Sequence, residues 1–315
     1  MNPASRPRLL TSSSPDLAAA GEILRSGGLV AVPTETVYGL AARADRDESV
    51  AAIYAAKGRP SFNPLIVHVA DLAAAQAIAT LDARAKALAE VFWPGPLTLV
   101  LPLRAGAPVA AAVTAGLPTV ALRCPAHPVM RAVIAETGLP LAAPSANASG
   151  GVSPTSAAHV VASLGARVDA VIDGGPCEAG LESTIVGLRE GGRWQVLRPG
   201  PIAADTLAQV LGCDPDPVTS RAIEAPGQLA SHYAPGKPVR LDAEAAEADE
   251  FHIGFGPVAG DASLSPTGDL NEAASRLYAL LHQGAAASPP RIAIAPVPET
   301  GIGAAINDRL RRAAA

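Results

Sequence analysis

Short apolar runs alternate with longer segments whose apolar residues recur every three or four positions along most of the 315-residue chain. The runs at 29–32, 65–69, 97–101, 119–122, 139–142, 170–172, 183–188 and 194–197 read as buried strands. Helical spacing between them predicts helices over 48–56, 72–79, 83–92, 127–136, 156–164 and 203–211. An earlier helix starts at Ser14-Pro15-Asp16, where a hydroxyl can cap and Pro fits the first turn, and it stops at Gly27-Gly28. Helices alternating with buried strands imply an α/β sheet, mixed rather than purely parallel.

Beyond residue 211 the pattern changes. Residues 213–232 carry Pro215, Pro217, Pro226 and Gly227 with little periodicity, and read as an ordered or semi-extended linker. A second, smaller α/β unit follows, with strands at 239–241, 251–255 and 292–295 and helices at 270–282 and 304–312. The expected organisation is a first domain over 1–205, a linker or lid over 206–236 and a C-terminal domain over 237–315. Gly254-Phe255-Gly256-Pro257 fails the spacing of a dinucleotide loop, and Pro257 removes a donor that phosphates would need, so a turn explains it better. The chain contains no GxxxxGK[ST] segment, so a Walker-type site is not on offer.

Composition narrows the class. A 49% hydrophobic content suits a chain with a sizeable core. The formal net charge is -5, and the first hundred residues carry nine basic and nine acidic side chains, so no global field favours nucleic acid. Cys124, Cys177 and Cys213 are odd in number and form no CxxC, which argues against a disulfide framework and a zinc site and fits a reducing, cytoplasmic setting. Uncharged stretches such as 106–122 are broken by Pro108 and Pro118, unlike a membrane span. The N-terminus lacks the apolar core of a secretory signal and leaves a transit peptide open.

The chemistry concentrates at strand ends. Lys57-Gly58-Arg59-Pro60 with Asn63-Pro64 sets two cations and an amide at the end of a helix, in a span stiffened by prolines. Arg offers a rigid fork of donors and Lys a compact charge, as a polyanion grip requires. The same residues also fit a solvated helix end whose cations complement the macrodipole. Upstream lies the hydroxyl-rich segment Pro33 to Leu40, and downstream His68 sits alone in an apolar strand, where a hydrogen-bonded core or edge histidine is an equally open reading. Thr119 to Arg123, Pro144-Ser145-Ala146-Asn147, Ser153-Pro154-Thr155, Glu182-Ser183-Thr184 and Arg198-Pro199-Gly200 add polar groups at further strand edges, where they can converge on one crevice. Taken singly, Ser145 and Asn147 also suit turns, Ser153 and Thr155 helix caps, and Arg198 a surface ion pair.

Taken together and in this order, these motifs resemble the YrdC/Sua5 family of L-threonylcarbamoyladenylate synthases. The likeness runs from about Asp16 to Pro201, and the tail, with His232-Tyr233-Ala234-Pro235 in the linker, resembles the longer Sua5 type. It implies an open twisted mixed sheet with a concave, positively lined cavity, plus a smaller Rossmann-like C-terminal domain. It also implies synthesis of threonylcarbamoyl-AMP and pyrophosphate from L-threonine, bicarbonate and ATP, with Mg²⁺ on the phosphates. The product feeds a downstream transferase complex that forms N6-threonylcarbamoyladenosine (t6A) in tRNA.

By the same resemblance, Lys57, Arg59, Asn63, Thr119, Ser145, Asn147, Ser153, Arg198 and Tyr233 bind ATP, Lys57 and Arg59 acting catalytically. Thr36, His68, Arg123, Ala143 through its backbone, and Ser183 hold threonine. Lys57 and Arg59 are expected to face the cavity, so that their loss abolishes pyrophosphate release at small cost in stability. The reading requires Arg59 and Arg123 to share one chamber. Two other classes stand beside it. A non-catalytic RNA-binding or ribosome-maturation factor of the same fold is disfavoured by the net acidity and 3% aromatic content. A module like the hydrogenase-maturation carbamoyltransferases lacks its zinc-binding cysteine pairs here.

Overall fold

The computed structural model describes residues 6–218, 224–228 and 232–315; parts of the linker read at 206–236, namely 219–223 and 229–231, lie outside the described residues. The first part of the chain runs β1 (Arg8–Leu10), α1 (Ser14–Arg25), β2 (Val30–Val32), β3 (Gly39–Arg43), α2 (Asp47–Lys57), β4 (Ile66–His68), α3 (Leu72–Ile78) and α4 (Ala83–Phe92). It continues with β5 (Leu97–Pro102), α5 (Ala111–Thr114), β6 (Thr119–Arg123), α6 (Pro128–Thr137), β7 (Leu141–Ala142), α7 (Ala157–Leu164), β8 (Ala170–Ile172), β9 (Thr184–Leu188), β10 (Trp194–Arg198) and α8 (Ala204–Leu211). After the linker come β11 (Val239–Arg240), β12 (Glu250–Gly254), β13 (Ala262–Ser263), α9 (Leu270–Ala286), β14 (Arg291–Ile294) and α10 (Gly303–Ala313).

Ten strands form one sheet in the order β1-β8-β2-β3-β7-β4-β6-β5-β9-β10, with parallel and antiparallel neighbours mixed. The smaller sheet, β11-β14-β12-β13, is parallel throughout. Because strand side chains alternate between faces, β4 to β6 sort cleanly. Leu65, Val67, Leu99, Leu101, Val120 and Leu122 enter the large core, whereas Ile66, Val100, Ala121 and Ile185 form a small apolar floor on the other face. That second face is where the polar strand ends gather.

Two predicted features differ. The first helix takes Ser13 as its N-cap without a side-chain bond; the Asp16 carboxylate instead accepts from the Thr11 N–H at 2.8 Å and from the Thr11 hydroxyl at 2.6 Å. The segment closed by Gly39 is not all loop, since Gly39 opens β3, which pairs with β2 and β7.

The two sheets share an apolar interface. Val37, Val152 and Leu181 from the first part pack in one cluster with Leu277, Tyr278 and Ile306 of the tail, joined by Tyr233 from the linker. The linker also starts anchored, because the indole N–H of fully buried Trp194 donates to the Cys213 carbonyl at 3.0 Å.

Candidate active site

Parallel pairing of β4 with β6 sets His68 opposite Arg123, and both side chains emerge at the C-terminal ends of those strands. Here they meet Thr36, Ala143, Ser145, Ser183, Arg59 from the loop after α2, Arg198 from the end of β10, and Tyr233 from the linker around one cavity. Arg59 and Arg123 therefore line the same chamber. Nine of the fourteen residues expected from sequence line it directly.

Four of the others stand one contact behind the wall. Lys57 does not line the cavity; its buried Nζ donates to the backbone carbonyls of Ser145 at 2.5 Å and Asn147 at 2.6 Å. It thus braces the 144–147 segment instead of facing the lumen, a correction that follows from α2 ending in Gly58 at φ 61, which turns the chain away. Burial, reinforced by the charges of Arg59 and Arg167, pushes the Lys57 ammonium well below its ordinary pKa. Asn63 and Asn147 are buried, and Ser153 caps no helix: its hydroxyl donates to Glu182 at 2.5 Å, while Ser156 caps α7. Thr119 lies farthest away, at the other end of β6 and on the same face as Ala121 and Arg123, roughly 13 Å from Arg123 at about 3.3 Å per residue.

The charges divide into paired and unpaired arginines. Arg123 donates to Glu35 at 2.7 Å, to the Thr36 hydroxyl at 2.9 Å and to the Gly95 carbonyl at 3.3 Å. Burial raises the Glu35 pKa, but the Arg123 charge and hydrogen bond outweigh it and hold the carboxyl below its usual range. Arg59 and Arg198 are different. Arg59 donates to the carbonyls of Asn63 and Pro64, and Arg198 to the Ser183 carbonyl at 2.9 Å, the Ser183 hydroxyl and the Pro226 carbonyl. Neither forms an ion pair among the described residues, although both are at least nine-tenths buried. Burial lowers Arg59 to about 10 and lowers Arg198 as well. Arg198 is not the surface ion-pair partner that the sequence left open.

Several buried polar atoms here lack a partner among the described residues: Asn63 Oδ1, His68 Nδ1, Asn147 Oδ1 and His232 Nδ1. An unsatisfied buried group costs about 1–3 kcal/mol; of these four, His68 and His232 line the cavity, where a polar ligand supplies the missing partner. Burial, with Arg123 adding to it, drops His68 to about 3, which leaves the ring neutral near pH 7. No group of three His, Cys, Asp or Glu side chains gathers among the described residues; Glu182, which lines the cavity, is paired with Arg309, and Glu35 behind the wall with Arg123.

The cavity is small, about 40 Å³. A water needs roughly 10–15 Å³, whereas organic ligands occupy pockets of about 300–1,000 Å³. The linker takes up the room. Ala225 lies on the apolar floor with Ile66, Ala121 and Ile185, Gly227 packs against Arg198, and Tyr233, only 1% exposed, closes the side. Tyr233 is held at φ 65, stacked 5.5 Å from Tyr278 with the Arg309 guanidinium 5.3 Å from its ring centre.

A family model described as "Telomere recombination", covering Sua5, YciO and YrdC proteins, matches residues 22–200, and one described as "Threonylcarbamoyl-AMP synthase, C-terminal domain" matches 202–315. The chain belongs to the Sua5 family. Threonylcarbamoyl-AMP synthase of Bacillus subtilis (strain 168) is 39% identical over 97% of this chain and 94% of its own length. The synthase of Pyrococcus abyssi (strain GE5 / Orsay) is 38% identical over 94% and 92%. The crystal structure of P. abyssi Sua5 complexed with L-threonine superposes with a TM-score of 0.88 at 34% identity, covering 98% of this chain and 97% of that one. The mixed sheet and parallel C-terminal sheet are thus those of the Sua5 architecture. Among the described residues no helix is long and apolar enough to cross a membrane.

Sequence reasoning passed over two residues that the geometry makes prominent. Glu35 stands inside the hydroxyl-rich segment and Glu182 beside Ser183, each within a motif that carried other assignments. The signal available was a lone carboxylate beside hydroxyls, Glu35 between Thr34 and Thr36 and Glu182 before Ser183-Thr184.

Proposed function

We propose that this chain is a threonylcarbamoyl-AMP synthase that joins L-threonine, bicarbonate and ATP with release of pyrophosphate. The observation that carries the reading is the pair Arg59 and Arg198: two buried guanidiniums without carboxylate partners among the described residues, in the chamber that also holds Arg123. Buried cations left unneutralised at such cost are readied for a polyanion. Arg59, Arg198 and Ser145 then take the phosphates, with Lys57, Asn63 and Asn147 shaping the walls that present them, and Ser153 and Tyr233 bordering the nucleotide. Thr119, on the same face of β6, suits the far end of a nucleotide laid along the strand. Arg123 with Thr36, Ser183, His68 and the Ala143 backbone suits the amino acid.

The chemistry asks for placement more than for a nucleophile. The threonine amine and bicarbonate condense by way of carbon dioxide to a carbamate with loss of one water, the proton shed by the amine balancing the one that bicarbonate takes up on dehydration; the carbamate oxygen then attacks the α-phosphorus, and the bond to pyrophosphate breaks in line. Holding these groups in reacting geometry supplies roughly 7–11 kcal/mol, and fixed cations offset the charge that develops on the phosphates. Neutral His68 accepts or donates a hydrogen bond without adding charge. Mg²⁺ arrives on the ATP phosphates. A ligand of this size requires the linker to leave the floor, so residues 224–228, with His232 and Tyr233, serve as a lid. The adenylate goes to a cytoplasmic t6A transferase complex acting on tRNA.

The test is mass detection of threonylcarbamoyl-AMP from ATP, bicarbonate and threonine, with serine in parallel. Product with threonine, and less with serine, is expected, because the lost methyl is worth about 1–3 kcal/mol. Absence of any threonine-dependent pyrophosphate release refutes the reading.

A further inference from the structure

Glu182 is a cavity-lining carboxylate that both parts of the chain hold at once. Its carboxylate accepts from the Ser153 hydroxyl on the cavity side, and from Tyr278 Oη at 2.8 Å and Arg309 Nε at 2.9 Å on the tail side. Arg309 is fully buried on α10, and its remaining nitrogens donate to the Pro199 carbonyl at 2.9 Å and to Asp308 at 2.6 Å. Asp308 in turn is served by Arg312, so it does not depend on Arg309.

This arrangement bears directly on Arg198. The field of Glu182 reaches the Arg198 guanidinium and works to raise its pKa, yet the two do not meet as an ion pair. Removal of Arg309 leaves a buried carboxylate on which Arg198, one of the two charges that the cavity holds open, is the next cation to act. The same carboxylate, unpaired, also faces any polyphosphate with like charge.

We propose that Arg309 is a positioning residue for the nucleotide: by pairing with Glu182, it keeps that carboxylate off Arg198 and leaves the Arg198 charge for phosphate. This rests on the reading of the cavity as an ATP site. It gives the C-terminal part a role in completing the site electrostatically, apart from any gating. Tyr278 is the neutral member of the junction and fixes the carboxylate's second lone pair.

The experiment compares wild type, Arg309→Met, Arg309→Lys and the double variant Glu182→Gln/Arg309→Met as full-length chains, with ATP and threonine affinities measured separately by titration calorimetry and folding checked by circular dichroism. Arg309→Met is expected to weaken ATP on the order of tenfold while threonine affinity stays within about twofold. Arg309→Lys is expected to fall between, and the double variant to recover most of the ATP loss because no carboxylate is left unpaired beside Arg198. A part that merely cements the two sheets together would lose both affinities and gain nothing from the second substitution. Unchanged ATP affinity in folded Arg309→Met, or a double variant no better than the single, overturns the proposal. Wild-type ATP binding in the same series tests the underlying reading of the cavity independently, since its failure would appear before any variant is compared. Should Arg309→Met not fold, the double variant alone decides: ATP affinity near wild type supports the charge partition, and loss equal to an unfolded control overturns it.

Discussion

Replacing Lys57 by methionine tests whether this lysine is a wall brace. The side chain keeps similar length and apolar bulk, so the change removes chiefly the ammonium and its two bonds to the Ser145 and Asn147 carbonyls. A hydrogen bond from a charged donor is worth about 1.5–3 kcal/mol, and a buried acceptor left bare costs about 1–3 kcal/mol. Against this, the variant no longer buries a cation whose depressed pKa records its desolvation. The balance is a loss of about 2–4 kcal/mol. At roughly 2–4 °C per kcal/mol for a unit of this size, Tm falls by about 4–16 °C. Differential scanning calorimetry on wild type and Lys57→Met measures it, and adenylate formation assayed well below the lower Tm separates stability from turnover. A Tm within about 2 °C of wild type refutes the brace and returns Lys57 to the open lumen, where small stability effects were expected.

Three further outcomes follow from other parts of the site. His68 titrates at about 3 in the folded chain against 6.5 unfolded, so the unfolded state binds the proton first; stability is whole above pH 6.5 and declines toward pH 3 by about 1.4 kcal/mol per unit. His68→Gln should flatten that decline, recovering roughly 2 kcal/mol at pH 5 in urea titrations relative to pH 7, and equal acid slopes in both proteins would count against it. Tyr233→Ala removes the stack on Tyr278 and the Arg309 contact, and should slow adenylate formation on the order of 10- to 100-fold while the ten-stranded sheet stays folded; unchanged turnover and ATP affinity remove the lid from the mechanism. In Gly200→Ala the new Cβ would sit 2.4 Å from the Thr184 nitrogen and 2.7 Å from the Glu182 carbonyl, both backbone, so about 1–3 kcal/mol of stability should go, with weaker threonine binding through Ser183; a variant that melts and binds like wild type disproves the clash.

What could be read from sequence depended on how loudly each element announces itself. Strands such as β5 and β6 are dense in Leu and Val and bounded by turn residues, so periodicity and length located them within a residue or two. β3 was missed because Gly-Leu-Ala-Ala-Arg holds no β-branched side chain; pairing with β2 and β7 on either side imposes its extended form. β1 is three residues long, with two of them exposed, and shows no alternation long enough to see. For the site, residue types and their order were legible, but direction was not. Lys57 and Arg59 are two positions apart, and only the left-handed turn at Gly58 decides that one points behind the wall and the other into the chamber. Likewise Glu182 has partners 96 and 127 positions away, at Tyr278 and Arg309, which no local pattern could connect.

A site plugged by its own linker behaves as if an inhibitor were permanently tethered beside it. On the proposed reading ATP must displace Ala225 from the floor, so measured affinity is the intrinsic affinity scaled by the fraction of molecules in which the tether has lifted. With one molecule in a hundred open, that scaling is about a hundredfold, or about 2.7 kcal/mol. Substitutions that loosen the tether should therefore sharpen nucleotide capture even as they spoil what happens after it.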